Sequence, residues 1–142
     1  MSIQLGKEHI AAITRYGEAA YPFEGCGLLL GRAEDGRKSV VRVLPVENTR
    51  ETEARHNRYL IPPEAVMKAE QQAGREGLDI VGFFHSHPDH PEQPSDFDRE
   101  HAWPWYSYLI TSVYKGRAVK TAAWMLSDDR GVFTPEELIE ET

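Results

Sequence analysis

Sixteen residues, Phe83–Asp98, read "FFHSHPDHPEQPSDFD" and gather three histidines, three aspartates and a glutamate directly behind an apolar run. Residues two apart on a strand point to the same side. His85 and His87 therefore present both imidazoles on one face if "IVGFF" is a strand that ends there, and Ser86 faces away. Two imidazole nitrogens suit a first-row metal, with zinc the default choice. A catalytic zinc site takes three protein ligands and leaves one position for water. The third ligand must come from elsewhere in the chain. Pro88, Pro91 and Pro94 stiffen the segment that follows and deliver it to a helix start at Ser95. Asp98 lies three residues on, on the same face of the first turn, where it can reach back to the metal. Ser95 then stands beside the open position.

Each of these residues also has a plain structural reading. His85 and His87 can anchor a polar loop, Ser95 can be an ordinary N-cap, and Asp98 can be favourable charge at a helix N-terminus. The combination is narrower than its parts. A His-x-His closes an apolar strand, a proline-rich loop follows, and Ser-x-x-Asp opens a helix. Hydrolysis by a metal-activated water also needs a carboxylate that is not a ligand, to carry the proton. Asp89, Glu92 and Asp96 lie in the loop, and Glu24 lies at the mouth of "GCGLLLG". Spacing alone does not choose among them. The single cysteine, Cys26, reads as a small core residue rather than a thiol ligand or nucleophile. His90 and His101 read as surface histidines, with His101 also spaced to reach Asp98 from the next turn.

The elements that must position these groups are legible in outline. Apolar residues at Ile10, Ile13, Tyr16 and Ala20 predict a helix over about Lys7 to Ala20, stopped at Tyr21-Pro22. "CGLLLGR" and "SVVRVLPV" read as a hairpin around the Asp-Gly turn of "AEDGRK". "ENTRETEARHNR" is a polar connection. "PPEAVMKAEQQAGREG" is a helix with proline in its first turn and Gly77 to end it. "LDIVGFF" suits a central strand covered on both faces. A third helix starts at Ser95 and ends near Trp103, before Pro104. "WYSYLITSV", "AVKTAAWML" and "GVFTPEELI" are three further strands. The order is α-β-β-α-β-α-β-β-β, a mixed α/β (α+β) domain on a curved or partly closed sheet.

The 142 residues fit one domain, 1–142, with its own core. A net charge of -7 with no run of basic residues disfavours nucleic acid. No apolar run approaches a membrane span, and the N-terminus lacks the plan of a secretory signal. With one cysteine there is no internal disulfide, and a cytoplasmic location is expected.

Taken together, "FEGCGLLLG" and "HSHPDHPEQPSDFD" resemble the JAMM (MPN+) metalloprotease family. Its pattern is a glutamate, then His-Ser/Thr-His, seven residues, and Ser-x-x-Asp. Here Glu24, His85-Ser86-His87, Pro88 to Pro94, Ser95 and Asp98 fill every position. The likeness covers roughly Lys7 to Val132, includes "IVGFFHSHP" and the late strand carrying Trp124, and is similar to the compact prokaryotic branch. The resemblance implies that His85, His87 and Asp98 hold one zinc ion, that Glu24 is the general acid/base, and that Ser95 hydrogen-bonds the oxyanion. It implies a fold related to the cytidine deaminases. It also implies amide or isopeptide hydrolysis after the C-terminal glycine of a ubiquitin-like or sulfur-carrier protein, with "ENTRETEARHNR" as part of the rim that binds the tail. Two rivals belong to other classes. A non-catalytic scaffold of this family would lack motif residues that are present here. A deaminase-like hydrolase would need paired cysteines.

Overall fold

The computed structural model describes residues 1–48, 59 and 61–141. The described residues form seven strands and three helices: β1 (Ser2–Gly6), α1 (Lys7–Ala20), β2 (Cys26–Glu34), β3 (Arg37–Val46), α2 (Pro63–Glu76), β4 (Asp79–Pro88), α3 (Asp96–His101), β5 (Ser107–Tyr114), β6 (Arg117–Leu126) and β7 (Phe133–Glu141). This is the mixed α and β architecture expected, with one correction to its order. The N-terminal "SIQLG" is a strand, not a lead-in to α1. Its alternation is short, but Ile3 and Leu5 point inward and are fully buried. β1 pairs in parallel with both β3 and β7, so the strands run β1-β3-β2-β4-β5-β6-β7 around a closed ring.

Local chemistry explains the element ends. Asp35 and Gly36 both take positive φ, as a two-residue turn between β2 and β3 requires. Gly77 caps α2 in the left-handed region. β4 is the central element. It lies antiparallel to β2 and parallel to β5, and it continues through the histidines to Pro88 instead of ending at Phe84. Gly82 pairs with Ser107 at the start of β5, and a Cβ there would fall on the Ser107 carbonyl. Ile3, Leu5, Ile13, Leu29, Val81, Phe84 and Leu109 form the main core beneath α1. A second cluster seats α2 through Ala69 and Ala73 on Leu28, Leu30 and Ile80.

Candidate metal centre

His85 and His87 come from one face of the last turn of pleat in β4, as their spacing requires, and both are buried. Ser86 faces the other way, towards α1 at Gly17. Asp98 comes from α3, which opens with a reciprocal cap. The Asp98 N–H donates to Ser95 Oγ at 3.1 Å, and the Ser95 N–H donates to Asp98 Oδ2 at 2.9 Å. This cap turns the Asp98 carboxylate towards β4. His85 Nε2 lies 3.3 Å from Asp98 Oδ1, His87 Nε2 lies 3.1 Å from Asp98 Oδ2, and the two imidazole nitrogens are 3.2 Å apart.

These contacts fit a cation. His87 Nδ1 lies 2.8 Å from the Pro91 carbonyl, which can only accept, so Nδ1 carries a proton and Nε2 is the atom turned to Asp98. Between Nε2 and the carboxylate oxygen 3.1 Å away there must be positive charge, a proton in the metal-free protein or a metal ion in its place. Donors around a tetrahedral zinc, with bonds of about 2.0–2.1 Å, stand roughly 3.3 Å from one another. The separation of the two imidazole nitrogens, 3.2 Å, is close to that edge, and each lies a similar distance from a different Asp98 oxygen. Burial pushes the His85 pKa below its usual value against the opposing pull of Asp98. A neutral imidazole is the form that ligates. At Asp98, burial favours the neutral acid, but the histidines and the Ser95 N–H outweigh it and hold the carboxyl well below the usual range.

Glu24 completes the group. It is 3 % exposed, and one of its oxygens comes within 4.8 Å of ligand atoms of both histidines. Its Oε1 is buried without a hydrogen-bond partner among the described residues. Burial, with the Asp98 charge adding, pushes its pKa up to about 9. The backbone beside it is tied down. Asn48 donates its side-chain N–H to the Glu24 carbonyl at 3.0 Å, Gly25 N–H donates to Ser86 Oγ at 2.8 Å, and Ser86 N–H donates to the Gly25 carbonyl at 2.9 Å.

The other acids are placed elsewhere. Asp89 accepts from the Tyr21 hydroxyl at 2.7 Å and the Lys115 N–H at 2.9 Å, and so clamps two loops. The Asp96 side chain is 95 % exposed beside Arg99. Glu92 offers its carbonyl to Trp124 Nε1. Cys26 is buried opposite His85 in the β2–β4 register, and burial, with Glu24 adding, pushes its thiol up to about 12. That keeps it a neutral core group. His101 is exposed, stacks on Phe97 and donates Nδ1–H to the Phe97 carbonyl at 2.9 Å. The "ENTRETEARHNR" rim lies outside the described residues apart from Glu47 and Asn48. Tyr59, just after it, stacks on the His85 ring with centroids 4.5 Å apart, a contact with no signal in the sequence.

Two imidazoles and a carboxylate lie within 3.3 Å of one another with the buried Glu24 beside them, and Glu24, His85 and His87 form a group that could hold a metal ion. Comparison with known proteins gives the class. The family "Prokaryotic homologs of the JAB domain" matches residues 6–127. A "Desampylase" of Haloferax volcanii is 38% identical over 75% of this chain and 75% of its own. One from Pyrococcus furiosus is 31% identical over 82% of this chain and 76% of its own. A "Probable TtuB-protein conjugate cleaving protease" of Thermus thermophilus is 40% identical over 58% of this chain and 51% of its own. The solution structure of a Desulfitobacterium hafniense protein superposes with a TM-score of 0.85 at 30% identity, covering 98% of this chain and 92% of that one. The chain belongs to the prokaryotic JAB-domain family and is a hydrolase of the JAMM type.

Proposed function

We propose that the chain is a single-domain, cytoplasmic zinc isopeptidase that cuts amide bonds after the C-terminal glycine of a ubiquitin-like or sulfur-carrier protein. The observation that carries this reading is the convergence of His85, His87 and Asp98 at 3.1–3.3 Å beside Glu24, whose buried Oε1 has no hydrogen-bond partner among the described residues. The names of the relatives supply the substrate class.

His85, His87 and Asp98 would hold the zinc, which would supply Lewis acidity and activate a water for attack. Glu24 accepts the proton of the attacking water on its carboxylate and hands it to the departing amine. Burial favours its acid form, which suits the donating half, and a cation held by the histidines would favour the carboxylate that the accepting half needs. Ser95 Oγ accepts from the Asp98 N–H, which leaves its own O–H to donate to the developing oxyanion. One such donor is commonly worth about 3 kcal/mol of transition-state stabilisation. Ser95, Glu24 and His87 line one cavity of about 420 Å³, where this exchange has room.

The test is to incubate the zinc-loaded protein with carrier proteins extended past their terminal glycine, and to read the products by mass spectrometry. A single cut after that glycine is expected. Intact carriers in every case, with zinc still bound, would overturn the proposal.

A further inference from the structure

Three of the seven residues between His87 and Ser95 are prolines, Pro88, Pro91 and Pro94, which have no N–H to donate. The segment therefore has little backbone pairing of its own and depends on donors from outside. Near its start the Asp89 N–H donates to the Val113 carbonyl at 2.7 Å, and the Asp89 carboxylate takes the Tyr21 hydroxyl and the Lys115 N–H. Further along, the Trp124 indole N–H donates to the Glu92 carbonyl at 2.9 Å. Between these two anchors lies the Pro91 carbonyl, which accepts from His87 Nδ1 at 2.8 Å.

The sheet sets where that indole stands. Trp124 on β6 lies opposite Tyr108 on β5, and Tyr108 lies opposite Phe83 on β4. Cross-strand partners share a face, and so do Phe83, His85 and His87. Trp124 is therefore on the ligand face of the sheet, two strands from the histidines, and the proline segment crosses over it. It is half-buried and lines a cavity of about 360 Å³ with Gln93, Pro94 and Ser95. We infer that Trp124 is a positioning residue for the metal centre. Its N–H pins the Glu92 carbonyl, which turns the adjoining Pro91 carbonyl onto His87 Nδ1 and leaves Nε2 for the metal. The inference rests on the proposed function for the metal. A carbonyl on the far nitrogen orients a ligating imidazole and raises its basicity. The rival role is an indole that only props the sheet.

Trp124→Phe keeps an aromatic ring and removes the donor. Benzothienylalanine in place of Trp124 removes the donor and preserves the shape. In zinc titrations against a chromophoric chelator, both replacements are expected to bind zinc about tenfold more weakly than wild type. In the metal-free protein, followed by NMR, the His87 Nδ1 proton should exchange with water at least about tenfold faster. Phe133→Leu, which trims a ring packed edge-on against Tyr108, supplies the structural control: it lowers stability and changes neither readout. Wild-type zinc affinity or wild-type proton exchange in the benzothienylalanine protein would overturn the inference, whatever Trp124→Phe does to stability. Carriers left uncut by wild type would fault the proposed function alone, because both readouts are taken without a carrier.

Discussion

The centre depends on two carboxylates that burial treats in opposite ways. Asp98 is held ionised by two imidazoles and a backbone N–H, while Glu24 Oε1 has no hydrogen-bond partner among the described residues. Asp98→Asn keeps the shape but removes the charge. It is expected to lose metal on dialysis that wild type survives, as read by elemental analysis. Glu24→Gln should retain the metal and lose turnover on the order of 10²–10⁴-fold; wild-type cleavage by this variant would remove Glu24 from its role. The metal-free protein carries a pH signature of the same residue. Burial raises the Glu24 pKa from 4.5, the value expected of the unfolded chain, to about 9. The folded state thus keeps a proton that the unfolded chain has released, and stability falls as pH rises between those values. His85 shifts the other way from 6.5, so the clean window runs from about pH 7 up to about 9. Denaturant titrations of metal-free wild type should lose stability across that window, and Glu24→Gln should flatten the slope.

At the scale of elements, the geometry is set by how β4, α3 and the Glu24 loop are fastened together. The middle residue of His-Ser-His does not face the metal centre; it carries the fastening. Ser86 accepts the Gly25 N–H and donates its own N–H to the Gly25 carbonyl, which fixes the residue after Glu24 against the ligand strand. Ser86→Ala leaves a Gly25 N–H without its acceptor, expected to cost about 1–3 kcal/mol of stability. It should lower turnover at unchanged metal content, with Ser86→Thr restoring both. An alanine variant with full activity would show that Glu24 needs no such support. Sequence reasoning found α1, both ends of α2, the hairpin and the cap at Ser95, because each is written in local signals: apolar spacing, Pro-Gly boundaries, Asp-Gly and Ser-x-x-Asp. It placed the histidines and Asp98 by the same means. Spacing could not choose Glu24 over Asp89, Glu92 and Asp96, and only the family resemblance did, because burial separates them and burial depends on residues distant along the chain. Tyr21–Asp89, Ser86–Gly25 and Tyr59–His85 were illegible for the same reason, since each pair meets only after the sheet has formed.

Across the whole molecule, the feature that local signals missed is the strand that completes the ring. β1 has only five residues, and its pairing with β3 covers just Ser2 to Gln4. What seats it is side-chain burial. Ile3 and Leu5 join Leu29, Val81, Phe84 and Leu109 in the main core, and Phe84 immediately precedes the first histidine. The opposite wall is closed by polar chemistry: buried Lys38 on β3 donates to the Trp105 carbonyl and, at 2.8 Å, to Ser107 Oγ at the start of β5. The floor beneath the ligands therefore rests partly on the first six residues of the chain. Ile3→Ala removes three carbons from a fully buried site with little room to relax. It is expected to lower the free energy of unfolding by about 2–5 kcal/mol, measured by urea titration. Ile3 lies outside the metal centre, so stoichiometric zinc should still bind the folded variant. An unchanged urea midpoint would mean that β1 is not docked in solution, and that the strands from β2 to β7 support the metal centre without a closed ring.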